Sequence, residues 1–204
     1  MNLNTTLLNF YQKHGFGDDL GKRRPLTVKV YTGCMLVPLP NIETRRKYLK
    51  FHDLHHVITG FSVGRIGEGK MSAWELGTGT FYRYPTLGLM NLIALSTGLF
   101  LKPKDMWHSF LVGKSSMNLY SKSIRKSIDF EQMQLNELAE QVLIKKAYKA
   151  NFITKLEFGF YSLLAIIIHG ALVIPAIILR SVSDYIQSGS IIETIKPKKR
   201  QDLY

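Results

Sequence analysis

The sequence predicts an all-α protein, a helical bundle that is followed by a long apolar C-terminal helix. Apolar residues recur at helical spacing in most segments, and glycine or proline falls between these segments. A stretch of 22 residues, 158–179, carries no charged side chain. With 204 residues, 46% of them hydrophobic, the chain suits one domain with an appendage. We therefore divide it into a helical domain, 1–150, an apolar segment, 151–186, and a basic tail, 187–204.

The helices and strands of the domain are predicted from the spacing of apolar residues and from the positions of glycine and proline. Residues 4–14 predict a short amphipathic helix, and the weak alternation of 26–31 favours an extended piece. A helix is expected from Ile42 to about Gly60, and Glu68 opens the next one after a glycine-containing loop. Further helices are expected at 87–101, after Pro103 and over roughly 130–150. The stretch 87–101 is too short to cross a bilayer, so it predicts a buried core helix.

The most informative motif is a pair of histidines on the second helix. His52 and His56 are four residues apart, so they lie on one face, about 40° apart around the helix axis. Asp53 sits at the edge of that face, and Glu68 arrives from the next helix. Imidazole nitrogens and carboxylate oxygens are typical of open, catalytic metal sites. The sequence therefore predicts a divalent metal site built from His52, Asp53, His56 and Glu68, whereas His55 points off the other flank.

Glu75 is a second candidate carboxylate. It follows Glu68 by seven residues, nearly two helical turns, so the two share a face. It is predicted as a catalytic group that assists proton transfer, with a solvated helix residue as the alternative.

Charge and cysteine usage restrict the classes of function. Lys and Arg outnumber Asp and Glu by 27 to 15, which gives a net charge of +12. No nucleic-acid-binding module accompanies that charge, so we expect no nucleic-acid partner. The single cysteine, Cys34, excludes an intrachain disulfide and a thiolate zinc site.

The apolar segment predicts contact with a membrane. Residues 158–179 form about 33 Å of helix, long enough to span the hydrocarbon layer, and they are apolar all round. A helix buried in the bundle and an oligomer interface are the alternatives. Lysines precede the segment, and the basic stretch 196–200 follows it, so the charges do not fix its orientation.

Laid out in this way, the residues resemble the coenzyme-Q (ubiquinone) biosynthesis protein four family. That family is marked by HDxxH and, after eleven residues, Glu, which 52–56 and Glu68 reproduce. The surrounding blocks 40–45, 56–60 and 68–78 also resemble it, as do the acidic, leucine-rich stretches 129–131 and 135–138. The likeness covers about 25–150, and the apolar segment after 157 departs from the family pattern.

The resemblance implies an all-α metalloprotein that decarboxylates, in some descriptions oxidatively, a polyprenylated hydroxybenzoate. It implies that the four predicted ligands hold zinc, that the partners are the prenylated lipid, the membrane and other quinone-synthesis proteins, and that the protein is a homo-oligomer. We expect the metal domain on the cytoplasmic face of a bacterial inner membrane.

Three other interpretations remain open. An HD-type metal phosphohydrolase would need an upstream His and a downstream Asp, for which His14 and Asp105 are available, but it leaves Glu68 unexplained. A zinc peptidase would need glutamate where Asp53 stands. A lipid-binding scaffold of a quinone-synthesis complex would use its metal structurally and would not be an enzyme.

Overall fold

Helices form most of the protein. The structure, a computed structural model, describes residues 1–16, 27–32, 35–144 and 148–188. The helices are α1 Leu3–His14, α2 Glu43–Thr59, α3 Arg65–Gly77, α4 Thr80–Arg83, α5 Pro85–Leu101, α6 Pro103–Lys114, α7 Lys122–Ser127, α8 Leu135–Val142 and α9 Phe152–Ser188. Strands β1 (Thr27–Thr32) and β2 (Met35–Pro40) form an antiparallel hairpin between α1 and α2, with Thr27 opposite Pro40. The all-α prediction is confirmed, and β1 occupies the segment expected to be extended.

The turn between α2 and α3 depends on a glycine. Gly60 has a φ of +71°, in the left-handed region, and its N–H donates to the carbonyl of His56 at 2.9 Å. Glycine adopts this conformation without a steric penalty, which ends α2 cleanly. Because the turn is short, α3 begins at Arg65 and brings Glu68 back toward the end of α2.

Helix α3 lies between two hydrophobic clusters. Leu54 of α2 and Trp74 of α3 belong to the first cluster, with residues of α1 and α8. Leu76 of α3 belongs to the second, with residues of α5, α6 and α9. A Cβ added at Gly113 of α6 would lie 2.1 Å from the carbonyl oxygen of Trp74, so α3 and α6 approach closely enough to require glycine there.

The helix expected over 130–150 is shorter than predicted. Asp129 Oδ1 accepts hydrogen bonds from the backbone N–H groups of Glu131 and Gln132, which holds this stretch in a turn. Helix α8 begins only after Gln134, where Gln134 and Glu137 form a capping box. It ends at Val142, whose carbonyl accepts from the N–H of Met117. Hydrogen bonds from side chains before α8, and from the Met117 N–H at its end, therefore limit the helix to fewer residues than the apolar spacing predicts.

Helix α9 is part of the domain as well as an apolar surface. Tyr161 and Ala165 are fully buried in the cluster with α5 and α6. The opposite side is exposed, and only 11% of the most apolar window within Phe152–Pro175 is buried. The segment is thus not a central helix of the described bundle. It is long and apolar enough to cross a membrane, by length and composition. The predicted tail 187–204 lies outside the described residues beyond Ser188.

Candidate metal centre

The predicted ligands lie on two neighbouring helices. His52 and His56 lie on α2, and Glu68 lies in the first turn of α3. One ligand atom from each of the three residues lies within 4.8 Å of the others. The Nε2 atom of His52 is 3.6 Å from Glu68 Oε2, and the Nε2 atom of His56 is 3.4 Å from Glu68 Oε1. The structure therefore brings together three of the four predicted ligands.

The other ring nitrogen of each histidine is already engaged. His52 Nδ1 is 2.9 Å from Glu75 Oε1, and His56 Nδ1 is 3.0 Å from the carbonyl oxygen of Phe61. An ionised carboxylate and a carbonyl only accept hydrogen bonds, so both Nδ1 atoms carry the proton. In the neutral rings, each Nε2 then presents a lone pair toward Glu68. Partners of this kind orient metal-binding histidines in proteins.

The residues fit a divalent cation. Ligand atoms about 2.0–2.1 Å from a tetrahedral metal ion are about 3.3 Å apart, which is close to the 3.4 Å and 3.6 Å that separate the histidine nitrogens from Glu68. His56 Nε2 is buried without a hydrogen-bond partner in the described structure, so a cation would satisfy it. The side chains of His52 and Glu68 are 22% and 28% exposed, which leaves an approach for a further ligand. Three protein ligands with an open position are typical of catalytic sites.

Asp53, the fourth predicted ligand, is not part of this group of three. Its Oδ2 atom accepts a hydrogen bond from the hydroxyl of Tyr11 at 2.9 Å, and burial raises the pKa of Asp53. Tyr11 belongs to α1, so this bond ties the N-terminal helix to α2. Ligation by Asp53 stays a prediction, since Tyr11 already engages one of its oxygens.

Glu75 is buried beneath the cluster instead of standing on a solvated face. Its Oε1 atom lies 2.9 Å from His52 Nδ1 and 2.7 Å from His55 Nδ1, and it accepts from the Tyr120 hydroxyl at 2.6 Å. Its Oε2 atom is buried without a hydrogen-bond partner in the described structure. These contacts make Glu75 a positioning residue for His52, and its predicted role in proton transfer stays a prediction.

His55 is neutral and structural in this arrangement. The backbone N–H of Leu119 donates to His55 Nε2 at 3.1 Å, so Nδ1 carries the ring proton and donates it to Glu75. Burial lowers the pKa of His55, which agrees with an uncharged ring. The structure thus keeps His55 out of the metal group, as its position on the helix predicts.

The cluster is strongly coupled electrostatically. Burial disfavours charge on His52, yet attraction to the carboxylates of Glu75 and Glu68, with the hydrogen bond to Glu75, outweighs it and raises the pKa of His52. Burial also disfavours charge on Glu68, but His56 and His52 outweigh it and lower the pKa of Glu68. The same balance, dominated by His52, lowers the pKa of Glu75. Both carboxylates are therefore ionised at neutral pH, as cation binding requires.

Arg45 adds a cation to the same face of α2. It precedes His52 by seven residues, about two turns, and its Nη1 donates to Asn41 Oδ1 at 3.2 Å. Burial lowers the pKa of Arg45, while the charges of Asp53 and Glu68 oppose that shift. A guanidinium beside a carboxylate-containing metal cluster is suited to an anionic ligand.

The residues that a phosphohydrolase would require are not part of the cluster. Asp105 Oδ2 instead pairs with Lys70 Nζ at 3.3 Å. The His14 ring packs against Phe10, with 4.8 Å between the ring centroids. Neither residue belongs to the metal-holding group found in the described structure.

Sequence reasoning missed the residues that hold the ligands in place. Tyr120 lies 45 residues after Glu75, so nothing in local spacing indicated their hydrogen bond. Tyr11 lies within the amphipathic helix predicted at 4–14, where only its hydroxyl group indicates a polar partner. The Phe61 carbonyl was undetectable because any residue supplies one.

The fold and the site define a helical protein with a His₂Glu cluster that could hold a metal ion. Comparisons of the chain with protein-family models, with curated proteins and with solved structures give no match.

Proposed function

We propose that the chain is a metal-dependent decarboxylase of ubiquinone biosynthesis, acting at a membrane on a polyprenylated hydroxybenzoate. The observation that carries the proposal is the cluster of His52, His56 and Glu68, whose imidazoles are aimed by Glu75 and the Phe61 carbonyl. Its spacing in the sequence is also the basis of the resemblance to the protein four family. Zinc is the metal we propose, since the ligands are imidazole and carboxylate.

The chemistry needs positive charge beside the ring. The bond between the ring and its carboxylate breaks, its electron pair stays on the ring carbon, carbon dioxide leaves, and a proton is added to that carbon. A bound divalent cation would supply an electrophile for the developing negative charge. Arg45, on the same face of α2, would bind and orient the carboxylate that is lost.

The apolar surface suits the lipid part of such a substrate. Ile153, Leu156, Phe160, Leu163 and Ile167 of α9 are all more than half exposed. Exposed apolar patches of this extent mark interaction sites with proteins or membranes. A prenyl lipid that lies in the bilayer beside α9 would reach the protein without a soluble carrier. A homo-oligomer and other quinone-synthesis proteins remain proposed partners.

The test joins pathway and site in one experiment. Deletion of the gene followed by lipid extraction is expected to cause accumulation of a prenylated hydroxybenzoic acid and loss of quinone. Wild type is expected to restore the quinone, whereas His52→Ala and His56→Ala are not. A matched control, His108→Ala on α6, should restore it fully. Unchanged quinone in the deletion strain would refute the proposed function, and rescue by His56→Ala would support a scaffold without metal catalysis.

A further inference from the structure

A second site lies away from the metal cluster, at the start of α9. A cavity of about 470 Å³ opens between the α3–α4 turn, the end of α6, the segment before α7 and the beginning of α9. Its wall includes the side chains of Arg83, Lys114, Ser116, Ser121, Tyr148 and Glu157. None of the residues of the metal cluster lines it. The cavity is therefore a separate feature that the proposed chemistry does not use.

The wall of the cavity carries an excess of positive charge. Arg83 is exposed and has no carboxylate partner among the described residues. Lys114 Nζ pairs with Glu157 Oε2 at 2.6 Å, and among the described residues of the lining Glu157 is the only acidic one. Two cations thus face one carboxylate, with serine and tyrosine hydroxyls around them. Charged donors and hydroxyls in this combination are suited to a phosphate group.

The position of the cavity indicates where such a phosphate would come from. Glu157 belongs to α9, and its neighbours Leu156 and Phe160 are 57% and 51% exposed on that helix. Tyr82, at the rim of the cavity, is 69% exposed, and its ring lies 6.4 Å from the ring of Tyr161 on α9. Aromatic side chains of this kind anchor proteins at the membrane–water boundary. The cationic cavity therefore adjoins the point where the apolar surface begins.

We propose that this cavity binds the phosphate headgroup of an anionic phospholipid from the bilayer that α9 contacts. The start of α9 lies at headgroup level whether the helix crosses the bilayer or lies along it, because the exposed cations Lys149 and Lys155 flank it. Arg83 would bind the headgroup directly, and Lys114 would share its charge between Glu157 and the phosphate. The inference uses the proposed membrane association and is independent of the metal chemistry.

Partition of the purified full-length chain into vesicles tests this proposal. Vesicles of phosphatidylcholine alone are compared with vesicles that also contain phosphatidylglycerol, and bound protein is measured by flotation. Arg83→Gln with Lys114→Gln is expected to lower partition into the anionic vesicles about thirty-fold, from the contribution of two cations near a charged surface. Arg83→Gln alone leaves the Lys114–Glu157 pair intact and should give about a five-fold loss.

The control removes the same charge elsewhere. Lys13→Gln with Lys47→Gln takes away two exposed lysines of α1 and α2 and should change partition less than about three-fold. An equal loss in both double variants would overturn the proposal in favour of unspecific attraction. Equal binding of wild type to neutral and anionic vesicles would also overturn it while leaving membrane association intact. Absence of binding to either kind of vesicle would refute both the headgroup site and the membrane association.

A soluble arm separates the two sources of phosphate. Dihexanoyl phosphatidylglycerol below its micelle concentration is expected to shift the wild-type melting temperature upward and to leave the double variant unchanged. A shift that inorganic phosphate produces as strongly would show a site for free phosphate and would overturn the lipid assignment.

Discussion

Replacement of Glu75 by glutamine tests how the buried carboxylate acts on the metal cluster. The change keeps the shape of the side chain and removes its charge. Glu75 Oε1 accepts from three donors while Oε2 has no partner among the described residues, so the glutamine amide can place its oxygen at the first position and its nitrogen at the second. The new amide nitrogen therefore does not face any of the three groups that donate to Oε1. The variant is therefore expected to fold and to retain His55 and Tyr120 in place.

The expected effect falls on metal affinity. The carboxylate makes His52 more basic and fixes its Nδ1–H tautomer, since its attraction raises the pKa of that ring. Loss of such a partner typically costs 10–100-fold in affinity, about 1.4–2.7 kcal/mol. Competition of the protein with a chromophoric chelator for zinc measures this directly. Glu140→Gln, at an exposed position of α8, is the matched control and should bind zinc as the wild type does.

Two outcomes would contradict this account of Glu75. Zinc affinity within two-fold of wild type would show that Glu75 does not act through His52. A loss of affinity accompanied by unfolding would show that its charge is needed for the fold. Glu75→Ala provides the contrast, because it leaves three donors without their acceptor, two of them buried, and is expected to lower the free energy of unfolding by about 3 kcal/mol or more.

Three further predictions follow from the same contacts. Zinc affinity of the wild type should rise with pH and level off only above pH 6.5. The reason is that the metal displaces a proton from His52, whose pKa is raised above that value. In a titration against a chelator, a plateau of the affinity below pH 6 would contradict this. Tyr11→Phe removes the donor to Asp53 and should lower the free energy of unfolding in urea by about 1–2 kcal/mol without changing zinc stoichiometry, so a halved stoichiometry would argue that Asp53 is a ligand. Gly113→Ala puts a methyl group 2.1 Å from the Trp74 carbonyl and should lower the melting temperature by several degrees, whereas an unchanged melting temperature would refute the close approach of α3 and α6.

Spacing was sufficient to predict the centre of the site because both relevant distances are short. His52 and His56 share a helix face at any helical geometry, and the Gly60 turn leaves few residues before Glu68. The turn itself was signalled by glycine. The prediction of a shared His₂Glu cluster thus needed only two helices and one tight connection.

What the sequence could not indicate depends on long-range packing. The Tyr120–Glu75 bond joins residues 45 positions apart, and the Tyr11–Asp53 bond joins residues 42 apart. Glu75 was expected on the same face as Glu68, which holds, but burial under His52 is decided by how α2 crosses α3. The extent of α8 was also wrong, because a capping box at Gln134 stops the helical pattern from extending backward.

Closely packed helices connect the apolar surface of α9 with the metal cluster. Gly69, one residue after Glu68, approaches Gly98 of α5, and an added Cβ at position 69 would lie 2.8 Å from the Gly98 Cα atom. Two residues further along α5, the Phe100 ring lies 5.0 Å from that of His169 on α9. Interfaces without side chains between them move little relative to one another. A bilayer that holds α9 would therefore fix the height of Glu68 above its surface, and a bulky residue at position 98 should disturb zinc binding and vesicle partition together.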